Sequence, residues 1–330
     1  MRFCDKPRVR AQQLQRLDGP AGLRLVDIAE PDHEGRVLIE VHAAGVAFPD
    51  LLLSRGLYQR KPPLPFVPGV EVAGTVRAAP DGAGFAVGDR VVAFTGLGGY
   101  AELAVADVEY TAHVPDALPA NAAGGFVMNH HTVHVALTRR ARLRAGELVA
   151  VHGAAGGIGT AAVQMAKALG ARVIALVSSA EKARVAEQAG ADVIVDTSSD
   201  WVSRLRAEQG GTGVDVIVDP VGGDRFEQSV RCLAPEGRLL VLGFTEGRIP
   251  SVQANRLLLR NASVVGVGWG AFLSVEPSLF AETQRALNDM IEAGAVQPIV
   301  GAEFPLEQAA DALRLIDERR AVGKVVLTLR

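Results

Sequence analysis

The middle of the chain carries six short apolar runs that alternate with helical segments. The runs are LVAVHG, RVIALV, DVIVD, VDVIVD, GRLLVLG and SVVGVG, and segments such as AAVQMAKALG and SAEKARVAEQAG lie between them. Strands that are apolar throughout and separated by helices are typical of a parallel sheet covered on both faces. We therefore predict a doubly wound α/β domain of six strands over residues 126–266.

Residues 1–125 show a different pattern, with short alternating runs separated by proline and glycine. In VLIEVHAAG the apolar positions alternate with Glu40 and His42, which predicts a strand with one buried face. EVAGTVRA, DRVVAF and YAELAVA are similar, with turns such as PDGAG and TGLGG between them. We predict an irregular β-rich domain here. Residues 267–330 hold two helical patterns and a last strand, too few elements for a third domain, so we expect them to complete the first.

The composition favours a two-domain globular protein that binds small molecules. Lysine plus arginine (34) nearly balance aspartate plus glutamate (37), and the net charge of -3 gives no sign of the basic surface that nucleic-acid binders carry. Only two cysteines occur, Cys4 and Cys232, which excludes a disulfide framework and a four-cysteine zinc site. We therefore predict a cytoplasmic protein without a nucleic-acid partner.

One segment has the length of a membrane span. Residues 148–166 contain no charged side chain, but four glycines and His152 interrupt them where a strand would turn into a helix. The N-terminal segment has no apolar run of the kind found in signal peptides. We predict no contact with a membrane.

The same segment, VAVHGAAGGIGTAAV, predicts a phosphate-binding turn between a strand and a helix. Gly156 and Gly157 would let backbone N–H groups approach a pyrophosphate, and the helix N-terminus would add its positive dipole end. Ala154 replaces the first glycine of the usual G-x-G-x-x-G pattern. We predict that this turn binds a dinucleotide, and a purely structural glycine turn is the alternative. The candidate cofactor residues are Ala155, Gly156, Gly157 and Ile158.

The end of the second strand of this domain indicates which dinucleotide is bound. An NAD site carries a carboxylate there for the ribose 2′-hydroxyl, whereas a 2′-phosphate favours hydroxyls and a cation. In RVIALVSSAEKAR, Ser178 and Ser179 stand at that place, and Lys182 lies one turn into the next helix. We predict NADPH as the cofactor. In the alternative interpretation a serine caps the helix and Lys182 is a surface charge.

Seven motifs, in order, resemble the medium-chain dehydrogenase/reductase superfamily, and specifically its zinc-free quinone oxidoreductase branch. They are GVAFPDLLLSRGLYQ, LPFVPGVEVAG, VGDRVVAF, GGYAE, HGAAGGIGTAAVQMAKALGA, DPVGGDRF and GKVVLTL. The resemblance implies a Rossmann domain inserted into a β-rich GroES-like catalytic domain that is built from the N-terminal segment and the tail. It also implies a homodimer formed by pairing of the SVVGV strand at the sheet edge.

The resemblance places three residues where zinc-dependent relatives hold the catalytic metal. These are Ala47, Val70 and Met128, and none of their side chains is a zinc ligand. The segment NHHTVHV offers His130 and His134 one helical turn apart, but two histidines without a third ligand make a poor metal site. We predict no metal, and we expect these histidines to pack or to contact substrate.

Without a metal, the acceptor must itself delocalise the negative charge that hydride transfer creates. Quinones and α,β-unsaturated carbonyls do so. Tyr58 resembles the tyrosine that lines the quinone oxidoreductase cleft, and it could donate a hydrogen bond or a proton to the acceptor. Ala47 replaces the asparagine of many relatives and would enlarge the substrate pocket. An ordinary loop tyrosine is the alternative for Tyr58.

Further site residues are implied by position within the family pattern. Thr132 resembles a residue that contacts the nicotinamide, and Asn129 lies one turn before it. A helix cap is the alternative for either residue. Trp269 follows the sixth strand and either lines the substrate site or fills core. The other candidate cofactor contacts are Val221, Gly243, Phe244 and Lys324.

Three charged residues could have structural rather than functional roles. Lys324 reaches the cofactor or lies at the surface. Glu71 is expected to be a buried carboxylate paired with an arginine, and Asp50 is expected to have a similar structural role.

We therefore predict an NADPH-dependent, zinc-free reductase of quinones or conjugated enones. One alternative is an enoyl reductase that acts on a biosynthetic intermediate. Another is a non-enzymatic NADPH-binding or structural protein of the same fold.

Overall fold

The computed structural model describes residues 7–208 and 210–329, so Cys4 lies outside the described residues. The chain forms two compact units. One contains the described part of Met1–Met128 together with Pro277–Asn288 and Val300–Arg330, and the other contains Asn129–Glu276 and Asp289–Ile299. The boundaries at residues 125 and 266 stay a prediction.

The first unit is built on a seven-stranded sheet. Six of its strands follow the order β14-β15-β3-β4-β5-β7, β6 pairs with β3, and β1 and β2 form a separate antiparallel pair. The strands are β1 (Arg8–Leu14), β2 (Leu23–Ala29), β3 (Val37–Val46), β4 (Glu71–Ala78), β5 (Arg90–Phe94), β6 (Leu103–Ala106), β7 (Thr111–His113), β14 (Val300–Pro305) and β15 (Lys324–Thr328). The helices wholly within it are α1 (Phe48–Ser54), α2 (Ala120–Gly124) and α11 (Ala309–Asp317).

The prediction that β3 has a single buried face is wrong. Nine of its ten residues are buried, including Glu40, which lies 3.4 Å from Arg77. Strands β4, β6 and β15 pair along its edges, but its second face is buried because a helix covers it. Helix α2 packs against the same strand.

The second unit contains a six-stranded parallel sheet in the order β10-β9-β8-β11-β12-β13, which confirms the predicted doubly wound domain and all six of its strands. The strands are β8 (Leu148–His152), β9 (Arg172–Val177), β10 (Val193–Asp196), β11 (Val214–Asp219), β12 (Leu233–Val241) and β13 (Ser263–Gly266). The helices wholly within it are α4 (Gly157–Ala168), α5 (Ala180–Gln188), α6 (Trp201–Glu208), α7 (Arg225–Val230), α8 (Ala254–Leu258) and α9 (Trp269–Leu273).

Two further helices contribute residues to both units. They are α3 (Val127–His134), which continues as a π-helical segment over Val135–Arg140, and α10 (Leu279–Glu292). Within the described ranges no helix combines the length and apolarity needed to cross a bilayer. Residues 148–166 form β8, a turn and part of α4 rather than one continuous helix.

The strand order of the parallel sheet reverses between β8 and β11. Ligands of doubly wound sheets bind at the carboxyl ends of the strands beside such a reversal. The turns that follow β8, β9, β11 and β12 are therefore the place to look for a cofactor site.

Candidate functional site

The glycine-rich turn joins β8 to α4 at the centre of the sheet. Strand β8 ends at His152, and α4 begins at Gly157. Gly153 has a φ of +58°, and a Cβ on Gly159 would lie 2.1 Å from the Gly153 carbonyl oxygen, so the helix packs this closely on the turn only with glycine there. The first N–H groups of α4 have no acceptor within the helix, which makes this end suited to an anion.

Next to this turn, the chain after β9 brings three predicted residues together. Ser179 is the N-cap of α5, and its Oγ accepts the backbone N–H of Lys182 at 3.3 Å. The Lys182 Nζ donates to the Ser178 Oγ at 3.4 Å. The helix-cap interpretation is therefore correct for Ser179. The Ser178 hydroxyl and the Lys182 ammonium nevertheless lie side by side, with Ser178 exposed and Lys182 half-buried.

The loops after β11 and β12 form the rest of this cluster. The Asp219 Oδ1 accepts the N–H groups of Val221 at 2.8 Å and Gly222 at 2.9 Å. A Cβ on Gly222 would lie 2.9 Å from the Phe244 ring, and a Cβ on Gly153 would lie 3.3 Å from the Val221 side chain. The predicted residue Val221 thus adjoins the glycine turn, and Phe244 adjoins the loop after β11.

Gly243 precedes Phe244 and lies beside the same loop, since a Cβ there would be 3.3 Å from the Pro220 carbonyl oxygen. The sequence analysis did not identify Asp219 as the residue that holds this loop. Its signal is DPVGG, an aspartate at the end of a strand and before a proline and two glycines, which is typical of a side chain that closes a turn.

Another residue that the sequence analysis did not select is His152, the last residue of β8. Its Nε2 lies 2.7 Å from the Ser229 Oγ, and its ring packs edge-to-face against Trp201 at 5.3 Å. Burial lowers the pKa of His152 to about 4, against the opposing effect of the Asp219 charge. His152 is therefore neutral at physiological pH.

Helix α3 carries the predicted nicotinamide contacts. Asn129 and Thr132 are both largely buried and both lie inside the helix, so the alternative in which either caps the helix is wrong. Trp269 is 3% exposed and packs edge-to-face against His131, with 5.3 Å between ring centroids. Within its unit Trp269 is a core residue, and its contact with substrate stays a prediction.

In the first unit, Ala47, Val70 and Met128 belong to one apolar cluster. Ala47 and Val70 are buried in it, and the half-buried Met128 packs against it. Across residues 7–208 and 210–329, no group of three or more histidine, cysteine, aspartate or glutamate side chains is arranged to hold a metal ion. The absence of a catalytic metal stays a prediction that rests on the chemistry of these three side chains.

Asp50 lies fully buried near this cluster. Its Oδ2 accepts the Ala47 N–H at 2.9 Å and the Tyr100 hydroxyl at 3.1 Å, while its Oδ1 accepts the Gly69 N–H at 3.1 Å. Burial raises the pKa of Asp50 to about 6, although these donors and the charge of Lys324 oppose the shift. Tyr58 is half-buried, and its burial together with the Asp50 charge raises the pKa of its hydroxyl. Tyr58 is therefore a hydrogen-bond donor at neutral pH.

Glu71 and Lys324 form a buried ion pair, with 2.6 Å between the Glu71 Oε1 and the Lys324 Nζ. The expectation that Glu71 pairs with an arginine is wrong, and so is the alternative that Lys324 lies at the surface. Lysine fits here because its single ammonium ends a straight stem that lies against Gly125. The contact of Lys324 with a cofactor stays a prediction.

Comparison with known proteins places this architecture in a family. Residues 33–116 match the alcohol dehydrogenase GroES-like domain, and residues 157–289 match the family described as zinc-binding dehydrogenase. Quinone oxidoreductase-like protein 2 of Mus musculus is 38% identical over 89% of this chain and 85% of its own length. Quinone oxidoreductase of Rattus norvegicus is 34% identical over 97% of this chain and 98% of its own length.

A solved structure extends the comparison to three dimensions. A mycobacterial protein in complex with NADPH aligns with a TM-score of 0.90 at 36% identity, over 97% of this chain and 100% of its own. The fold and the cluster of turns are those of a dehydrogenase/reductase with a dinucleotide-binding domain. The chain belongs to the medium-chain dehydrogenase/reductase superfamily, in its quinone oxidoreductase-like branch, which confirms the predicted resemblance and fold class.

Proposed function

We propose that this protein is an NADPH-dependent, zinc-free reductase of quinones or other conjugated carbonyl compounds. The observation that carries the proposal is the apolar cluster containing Ala47, Val70 and Met128, because zinc-dependent relatives hold their catalytic metal at the corresponding positions. The glycine turn in the second unit supports the cofactor assignment.

The cofactor assignment is supported by the shape and charge of the turns. Gly157 and Ile158 are half-buried at the start of α4, where a pyrophosphate would receive backbone N–H donors, while the Gly156 N–H donates to the Gly153 carbonyl oxygen at 2.9 Å. Ser178 and Lys182 present a hydroxyl and an ammonium 3.4 Å apart, a pair suited to a 2′-phosphate. The mycobacterial relative was solved with NADPH, which agrees with this choice.

The choice of acceptor follows from what replaces the metal. NADPH supplies a hydride, and the acceptor then carries negative charge that a zinc ion would otherwise stabilise. A quinone spreads this charge as a hydroquinone anion, and an enone spreads it as an enolate. In our proposal the Tyr58 hydroxyl donates a hydrogen bond to the oxygen that gains the charge.

Loss of NADPH absorbance with a panel of acceptors tests the proposal. We expect turnover with 1,4-benzoquinone, 9,10-phenanthrenequinone or 2-alkenals. Turnover confined to an enoyl thioester would favour the alternative of an enoyl reductase on a biosynthetic intermediate. If NADPH binds but no acceptor oxidises it, the alternative of a non-enzymatic cofactor-binding protein replaces our proposal, and stoichiometric zinc in the purified protein would overturn its zinc-free part.

We also propose that the protein is a homodimer, with two copies paired at the β13 edge. Strand β13 lies at the end of the six-stranded sheet, next to β12 alone. Leu258 and Leu259, shortly before it, are 75% and 77% exposed. An open strand edge and exposed apolar side chains each favour a covering partner.

Replacing both Leu258 and Leu259 with aspartate is expected to convert the dimer into a monomer, because it places charge in the apolar contact. Light scattering after size exclusion should then give 34.6 kDa instead of twice that mass. Val87→Asp is the matched control, since Val87 is 75% exposed in the first unit. A wild-type monomer at micromolar concentration, or a variant that stays dimeric, would contradict the proposed interface.

A further inference from the structure

A buried ion pair in the first unit joins parts of the chain that are remote in sequence. Glu71 opens β4 and is fully buried, and Lys324 opens β15 with 7% of its side chain exposed. Their charged atoms are 2.6 Å apart. Removing two charges from water is unfavourable unless the geometry compensates for it, so the use of such a pair calls for a specific reason.

Two glycines allow the pair to lie where it does. A Cβ on Gly45, in β3, would be 2.2 Å from the Glu71 Oε1, and a Cβ on Gly125, just before α3, would be 2.4 Å from the Lys324 Cγ. Any larger residue would push the carboxylate off β3 or the lysine stem off the segment that leads into α3. The pair is therefore fitted to this segment as well as to the sheet.

The second carboxylate oxygen of Glu71 contacts helix α3, and this contact suggests what the ion pair does. The Glu71 Oε2 accepts the backbone N–H of Met128 at 2.8 Å, and Met128 is the second residue of α3. An N–H in the first turn has no acceptor inside its own helix, and a negative charge there interacts favourably with the helix dipole. Glu71 thus caps α3 from a position 57 residues earlier in the chain.

We propose that Glu71 and Lys324 form a positioning pair for the reductase reaction. Glu71 fixes the first turn of α3, the helix that carries Asn129 and Thr132, and Lys324 supplies the counter-charge that holds the carboxylate in place. In this role Lys324 acts through Glu71. This inference rests on the proposed function, in which Asn129 and Thr132 contact the nicotinamide.

Glu71→Gln is expected to lower kcat about 10- to 100-fold and to change KM for NADPH less than about 3-fold, because small displacements of reacting groups reduce rates by such factors. An amide has one acceptor oxygen where the carboxylate has two, so the N–H of Met128 and the ammonium compete for it. The NADPH-binding turns of the second unit keep their own contacts, which is why KM should change little.

A second variant separates positioning from stability. Lys324→Met alone leaves a buried carboxylate without its partner, whereas Glu71→Gln combined with Lys324→Met removes both charges. We expect the double variant to regain most of the melting temperature lost by Lys324→Met while kcat stays low. Recovery of wild-type kcat in the double variant would overturn the positioning role.

Glu102→Gln is the matched control. The Glu102 carboxylate also accepts one backbone N–H, from Arg10 at 2.8 Å, and also pairs with a cation, the Arg10 guanidinium at 2.8 Å. Its partner Arg10 lies in β1 and not in α3, so the kcat of this variant should equal that of wild type.

Hydrogen exchange of the α3 amides provides a readout that does not require activity. Exchange over residues 127–134 should be faster in Glu71→Gln than in wild type, and unchanged exchange would overturn the cap. If none of the acceptors supports NADPH oxidation by the wild type, the proposed function fails. The exchange result still decides whether Glu71 caps the helix.

Discussion

Lys182→Ala is expected to weaken NADPH binding about 10- to 100-fold and to leave NADH binding within about 3-fold, since hydrogen bonds to charged groups contribute about 1.5–3 kcal/mol. The Lys182 ammonium lies 3.4 Å from the Ser178 hydroxyl at the end of β9, where the ribose of a dinucleotide would lie. NADH has no 2′-phosphate, so it would lose no such bond. The cap of α5 depends on Ser179 and the Lys182 backbone, which alanine keeps.

Fluorescence titration of both cofactors against both proteins measures this difference. Lys167→Ala is the control, because Lys167 is in the last turn of α4, far from the turns at the other end of the helix, and pairs with Asp192. It should bind both cofactors as wild type does. Equal weakening of NADPH and NADH by Lys182→Ala would show that Lys182 does not recognise the 2′-phosphate.

The parallel sheet was predictable because each of its strands contains a short run of apolar residues. A strand such as VAVH can be recognised without knowing its neighbours, because helices cover both faces of the sheet whatever the order of the strands. The first unit was less predictable. Strand β1, RVRAQQL, exposes Arg8 and Arg10 and buries Val9, Ala11 and Leu14. Its high content of charged and polar residues makes this alternation difficult to recognise as a strand.

Local and long-range site features differ in the same way. The glycine turn and the Ser178, Ser179 and Lys182 group each lie within a few residues, so their sequence spacing translates directly into geometry. The partner of Glu71 is 253 residues away in sequence. It can be identified only from the structure, in which β15 pairs with β3. Sequence alone indicated a buried carboxylate in an apolar run, but it gave no means of choosing between lysine and arginine.

Asp50→Asn is expected to lower the free energy of unfolding by about 1–3 kcal/mol at pH 4.5, because it leaves a buried donor without an acceptor. Its two oxygens face three donors, from Ala47, Gly69 and Tyr100. At pH 4.5 Asp50 is protonated, and its hydroxyl oxygen can still accept an N–H while it donates its proton to the Tyr100 oxygen. An asparagine amide offers one oxygen, and its NH₂ group would face either the Ala47 or the Gly69 N–H. Neither N–H can accept a hydrogen bond, so one of them loses its partner.

The loss of folding stability caused by Asp50→Asn should become smaller as the pH rises. Burial raises the pKa of Asp50 from 3.8 to about 6, so the folded state binds this proton more tightly than the unfolded chain does. The resulting stabilisation is complete below pH 3.8 and is lost as the pH rises through 6. The full shift corresponds to about 3 kcal/mol, of which about 2 kcal/mol falls between pH 4.5 and 7.5.

Asparagine does not titrate, so the stability gap between wild type and Asp50→Asn should shrink by about 2 kcal/mol between pH 4.5 and 7.5. Urea unfolding at the two pH values, with equal m-values for both proteins, measures this gap. Asp32→Asn is the control, because Asp32 is exposed and its carboxylate accepts a single backbone N–H, from Glu34. A gap for Asp50→Asn that stays constant would mean that burial does not raise the pKa of Asp50 in the folded protein. Its three donors would then compensate fully for the loss of water.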